Sequence, residues 1–308
     1  MTDAHAVYLH QLVPVIDNGS DAPGTLLDDC SCEFRKAFDE ADLIEDEEVL
    51  ISCTRQGYIK RVPAAAYRRQ IRGGKGASGM ATREEDVVES MFAAGSLDHV
   101  LFFSDRGKVY SERAYNIPDA ARAGRGTLIQ AILMLEPGER ITAMAAVPSF
   151  DEEGYFVLCT KHGRIKRVHL HDFKSVRASG LIAMSLYDGD YLSWVRMSNG
   201  QQDVILVTAL GMSIRFPEHH VRVMGRPASG VNAIRLRSDD QVVGMDVIED
   251  YDSDLLIVTS NAYGKRTDLS EYNQQGRYGF GVRTLGQNDR TGEIVAARAI
   301  HAEDDITL

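Results

Sequence analysis

The chain has 308 residues, of which 44% are hydrophobic and 26% charged, with a formal net charge of −11. This is the composition of a soluble globular protein long enough to bury a sizeable core. No apolar run approaches the roughly 18 residues of a membrane span, and Met1-Thr2-Asp3-Ala4-His5 lacks the basic start of a signal peptide, so a cytoplasmic protein without a membrane partner is expected.

Residues 1–38 carry no recognisable pattern and are left as an unassigned N-terminal segment. Cys30-Ser31-Cys32 is a lone CxC with no second cysteine pair nearby, so no metal site is expected there. Cys53 and Cys159 lie in the apolar runs VLISCT and YFVLCT and read as buried structural thiols. The charge is segregated along this part of the chain. Residues 28–48 hold ten acidic residues, whereas residues 49–83 hold none and carry eight basic ones. An acidic lead-in followed by a basic stripe is either a solvated face or a surface for an anionic partner.

From about residue 48 the chain is a repeat. An apolar run, a short turn and a second strand recur five times: VLISCTRQGYIKR, VLFFSDRGKVYSE, FVLCTKHGRIKRV, VILVTALGMSIRF and LLIVTSNAYGKRT. Their turn glycines are taken as Gly57, Gly107, Gly163, Gly211 and Gly264, spaced 48 to 56 residues apart. A second landmark follows each hairpin by 17 to 19 residues, the closing glycines Gly76, Gly126, Gly180, Gly230 and Gly281. A third apolar strand then ends each unit, as in ITAMAAV, YLSWVRM, VVGMDVI and IVAARAI, with a weaker match, DVVESMFAA, in the first. The runs are rich in strand-forming residues, and helix-period patterns are scarce, the best being the short stretch Ala64 to Gln70. The reading is all-β. Five complete repeats of four-stranded blades (about 48–96, 97–153, 154–201, 202–252 and 253–302) form a propeller-like disc. EDDITL, at the end, resembles the start of a sixth.

The cations fall on this frame with a period of their own. Arg72, Arg122, Arg177, Arg226 and Arg277 each stand three or four residues before a closing glycine. In the first unit Arg68, Arg69 and Lys75 crowd around Gly73, Gly74 and Gly76, and Arg125 sits in the second loop. The second strands add Lys60-Arg61, Lys166-Arg167, Arg215 and Lys265-Arg266. A Gly-rich turn explains the glycines alone. Bare backbone flanked by cations is a seat for phosphate. GGKGAS lacks the spacing and the Ser or Thr of a mononucleotide loop and lies between strands. A belt of arginines around a disc fits a duplex backbone followed without reading of its bases. The alternative is a propeller that serves as a protein-interaction scaffold. The pairs His169/His171 and His219/His220 stand in strand or turn contexts without a nearby carboxylate partner, and no catalytic residue is assigned.

EADLIEDEEVLISCTRQGYIKRVPAAAYRRQIRGGKG resembles the start of the C-terminal domain of the DNA gyrase A protein. That family carries a box, Q-R-R-G-G-R-G, which here reads Gln70-Ile71-Arg72-Gly73-Gly74-Lys75-Gly76. Lys75 is a mild variant, and Ile71 removes one cation. The resemblance covers residues 39–308. It implies a β-pinwheel, a disc whose blades exchange strands, that wraps double-stranded DNA and works with the gyrase A cleavage domain and the gyrase B protein in ATP-dependent negative supercoiling. The paralogous component of topoisomerase IV has the repeats but a degraded or absent box, so the box favours gyrase. No cleavage tyrosine domain is recognised in this chain. It is therefore expected to be a fragment or paralogue of a topoisomerase component, not catalytic alone and without a cofactor of its own, ATP and magnesium belonging to other parts of the holoenzyme.

Overall fold

Residues with branched or aromatic side chains favour extended backbone, and the five apolar runs form the first strands of five antiparallel hairpins. The computed structural model describes residues 43–66, 86–286, 288–301 and 304. The strands belong to one compact unit that begins at Ile44. The hairpins are β1 (Glu48–Thr54) with β2 (Tyr58–Pro63), β4 (His99–Ser104) with β5 (Lys108–Arg113), β8 (Tyr155–Thr160) with β9 (Arg164–His169), β12 (Asp203–Thr208) with β13 (Met212–Pro217), and β16 (Asp254–Thr259) with β17 (Gly264–Asp268). A third strand pairs with the first strand of each hairpin: β3 (Val88–Gly95), β7 (Ile141–Val147), β11 (Leu192–Ser198), β15 (Val242–Ile248) and β19 (Ile294–Ile300). The weak apolar match in the first unit is thus a full strand. Among the described residues there is no α-helix, and Ala64–Ala66 is a single 3-10 turn.

The fourth strand is only two residues long, and it crosses to a neighbour. β6 (Thr127–Leu128), β10 (Leu181–Ile182), β14 (Val231–Asn232) and β18 (Val282–Arg283) follow the closing glycines of units two to five. Each pairs with the second hairpin strand of the preceding unit: β6 with β2, β10 with β5, β14 with β9 and β18 with β13. Four sheets are therefore four-stranded, each completed by its neighbour, and the fifth has three strands among the described residues. This is the strand exchange of a β-pinwheel.

The closing glycines are fixed by this exchange. Gly126, Gly180, Gly230 and Gly281 all have positive φ, between 74° and 84°. A Cβ on Gly230 would stand 2.5 Å from the Ile165 carbonyl oxygen, and one on Gly281 only 2.1 Å from that of Ser213. Only glycine lets the loop turn that closely over the neighbouring strand. One landmark shifts. The left-handed turn position of the fifth hairpin is Ala262 (φ 60°), and Gly264 is the first residue of β17, paired with Val258. The glycine in NAYG is therefore not the counterpart of Gly57 or Gly211.

Four cores lie between successive blades. Phe102 and Val100 face Ile51 and Ile59 on one side, while Leu101 and Phe103 face Phe156 and Leu158 on the other. Val157 and Cys159 then meet Val204 and Leu206, and Ile205 and Val207 meet Leu255 and Ile257. Strands covered on both faces read as continuous apolar runs, and β8 and β12 are buried almost throughout. β16 alternates, with Leu255 and Ile257 buried but Leu256 and Val258 half-buried, because only one of its faces is packed against a described blade. The third strands of successive blades touch. A cavity of about 220 Å³, lined by Glu89, Met144, Trp194 and Arg298 among others, draws on both the first and the last blade.

Candidate nucleic-acid interface

The cations of the second strands sit where the exchange needs them. Lys60 is fully buried, and its Nζ donates to the carbonyl oxygens of Ala121 (3.3 Å), Gly124 (3.0 Å) and Arg122 in the loop of the second unit. Lys166 is equally buried and donates to Gly225 (3.2 Å) and Arg226 in the loop of the fourth unit. Burial lowers the pKa of the Lys60 ammonium. Burial, and then the neighbouring Arg226 charge, takes that of Lys166 to about 7.

The arginines beside these lysines are braces of the same kind. Arg61 Nε lies 2.7 Å from Asp119, and its backbone is bridged to the same segment. Arg167 donates to the Val221 carbonyl (2.9 Å) and pairs with Glu218 at 3.2 Å. Glu218 in turn accepts from Ser198 Oγ (2.7 Å) and the Gln202 amide (2.8 Å). Arg215 pairs with Asp203 at 2.8 Å and reaches the Leu269 and Tyr272 carbonyls. Lys60, Arg61, Lys166 and Arg167 were expected on the binding surface, but Lys60, Lys166 and Arg167 are buried, as is Arg215, while Arg61 is half-buried. Charge alone does not show which face of a strand is covered, and here the exchanged loop covers them. A buried cation is tolerated only with partners, and each of these has them. Lys265 and Arg266, their counterparts in the fifth unit, are exposed, with Arg266 paired to Asp254.

The loop arginines are disposed differently. Arg177 is exposed, and Arg122, Arg125, Arg226 and Arg277 are half-buried. Arg125 lies over the Tyr58 ring, 3.7 Å from its centroid, an arrangement favourable to both groups. Its Nε and Nη2, Nη1 of Arg226 and Nε of Arg277 are covered nitrogen donors without a hydrogen-bond partner. Neighbouring loops also touch. Arg277 donates to the Asn232 carbonyl, the Tyr278 amide to Ala233 (2.7 Å), and the Met134 amide to Ala178 (3.2 Å). Arg68, Arg69, Gln70, Arg72, Gly73, Gly74, Lys75 and Gly76 lie outside the described residues.

Arg235, whose guanidinium lies over Phe280, and Arg283 on β18 are further exposed cations close to the loops that were not among the sequence candidates. Both follow a closing glycine within five residues, a signal that was available. His171 does have a carboxylate beside it, Asp172 at 3.2 Å, contrary to the sequence reading. Among the described residues no group of three or more metal-ligating side chains is found, and no helix is long and apolar enough to cross a membrane. Cys53 and Cys159 are buried free thiols.

A sequence model of the family described as DNA gyrase C-terminal domain, beta-propeller, matches residues 48–94, 98–148, 154–199, 202–249 and 253–301. The DNA gyrase A proteins of Staphylococcus aureus strains MRSA252 and NCTC 8325 are 39% identical over 272 residues, covering 88% of this chain and 31% of the relative. The chain thus spans about a third of the length of these relatives. Among solved structures, a DNA gyrase A C-terminal domain superposes with a TM-score of 0.70 at 26% identity, covering 83% of both chains. The C-terminal domain of a DNA topoisomerase IV gives 0.70 at 24% identity, covering 84% of this chain and 79% of its own, a likeness of fold.

Proposed function

The chain belongs to the DNA gyrase C-terminal domain family of β-propellers, and on that premise we propose that it binds double-stranded DNA along the outer edge of its blades without reading sequence. The observation that carries this is the recurrence of an exposed or half-buried arginine before the closing glycine in units two to five, at Arg122, Arg177, Arg226 and Arg277. Phosphate contacts from such side chains position a duplex without specifying its bases. In this reading Arg72, Lys75, Arg122, Arg177, Arg226 and Arg277 form the contact belt, with Arg68, Arg69, Arg125, Lys265 and Arg266 adding charge and Arg235 and Arg283 joining them. Lys60, Arg61, Lys166, Arg167 and Arg215 build the loops and do not touch DNA.

Wrapping a duplex around such an edge costs several kcal/mol by elastic estimates. Released counterions must offset that cost, so affinity falls with salt by roughly 0.9 in log–log slope per neutralised phosphate. The wider role is service within a gyrase complex, with the gyrase A cleavage domain and the gyrase B protein as partners. Cleavage and the chemistry of ATP and magnesium belong to those parts. Replacing Arg72 and Lys75 together by alanine is the direct test. The expected result is a loss of about 1 kcal/mol or more in duplex affinity at low salt, with an unchanged circular dichroism spectrum. Ligating nicked plasmid on the protein should leave a shift in linking number. Binding that ignores salt, together with no such shift, sinks the proposal and leaves a protein-binding scaffold.

A further inference from the structure

The two fully buried lysines are more than the fold requires. Aligned on their turns, the third residue after the turn is Lys60 in the first unit, Tyr110 in the second, Lys166 in the third and Ile214 in the fourth, all nearly or wholly buried. Tyr110 packs beneath Gly180 and Ile214 beneath Gly281. An uncharged side chain therefore fills this site and supports the exchanged strand, and burying an ammonium instead carries a desolvation cost. In both units where this lysine is buried, the ammonium donates to the same point, the carbonyl of the belt arginine of the next unit, Arg122 or Arg226, whereas Lys265 of the fifth unit is exposed and donates to the Thr284 carbonyl. It also gathers the flanking carbonyls of Ala121 and Gly124, or of Gly225.

We propose that Lys60 and Lys166 are positioning residues for duplex binding, each drawing the loop carbonyls of the following unit inward so that Arg122 or Arg226 faces a phosphate. The inference rests on the duplex reading above. Carbonyl oxygens turned outward would repel a phosphate. Turned toward a buried ammonium, they leave the guanidinium as the charge the loop presents. The loops are consequently unequal. Those of the second and fourth units are preset, whereas those of Arg177 and Arg277, seated on Tyr110 and Ile214, lack a buried ammonium beneath them.

The test is a double-mutant cycle in the full chain, reading the salt slope of binding to a linear DNA duplex. Lys166→Ile installs the residue that the fourth unit uses at this site. Arg226→Ala is expected to make the slope shallower by about 1, the value of one lost phosphate contact. Lys166→Ile should do the same, although Lys166 reaches no solvent, and the double variant should be no shallower than either single one. Lys166→Ile combined with Arg277→Ala should be additive. A slope untouched by Lys166→Ile, or additivity with Arg226→Ala, overturns the positioning role. If Lys166→Ile fails to fold, Lys60→Ile with Arg122→Ala decides the matter in the same way. If Arg122→Ala, Arg226→Ala and Arg277→Ala all leave the slope unchanged, the duplex reading itself falls and takes the positioning role with it.

Discussion

At the residue scale, position in the blade decides what a cation does. Lys166 and Arg226 both carry charge near the same loop, yet one is buried beneath the backbone and the other caps it. The burial of Lys166 has a consequence for pH. Its native pKa of about 7 lies below the ordinary 10.5 that it has when unfolded, so between these values the unfolded chain binds more protons. Stability should then rise with pH across about 7 to 10.5, the burial penalty being complete below that window and relieved above it. The nearby charges that enter are Arg226, which lowers the value, and Asp172, which raises it. Denaturant midpoints compared between wild type and Lys166→Met at pH 7, 8.5 and 10 isolate this site from the thiols, of which Cys53 is itself raised to about 12. The gap between the two proteins should narrow as pH rises. A constant gap would show that Lys166 does not titrate in this range.

At the element scale, the two-residue strands hold the disc together. Each is too short to persist alone, and each is placed by a glycine whose backbone no other residue adopts cheaply. Gly230 has a φ of 74°, and an added Cβ meets the Ile165 carbonyl oxygen at 2.5 Å. Gly230→Ala should destabilise the chain by about 1–3 kcal/mol, read by thermal unfolding followed through Trp194, the single tryptophan. Gly286 has open space around it and no positive φ, so Gly286→Ala is the control and should be close to neutral. Equal effects at both positions would contradict the close approach of loop to strand.

At the scale of the whole molecule, the net charge of −11 describes solubility and says little about the outer edge, because the field felt by a partner is set by local arrangement. A duplex that follows several loops gains contacts in proportion to its length, until bending outweighs them. Affinity in an electrophoretic shift assay should therefore rise as the linear duplex is lengthened beyond what one loop can touch, and the salt slope should steepen with it. Affinity and slope that stay flat with length would indicate a single-loop site.

The sequence by itself determined the repeat, the strands and the all-β class. Apolar runs and glycines recur in step because each unit solves the same packing and turn problem. It also located the loops, since their arginines and closing glycines keep phase. The tertiary structure decided the rest. It showed that the two-residue strand of units two to five completes the sheet before it, a pairing between segments about 70 residues apart that no local pattern encodes. It showed too that Ala262 takes the turn position in the fifth hairpin, and that Lys60, Lys166, Arg167 and Arg215 lie inside. Charge is a property of a residue, but exposure is a property of what packs over it.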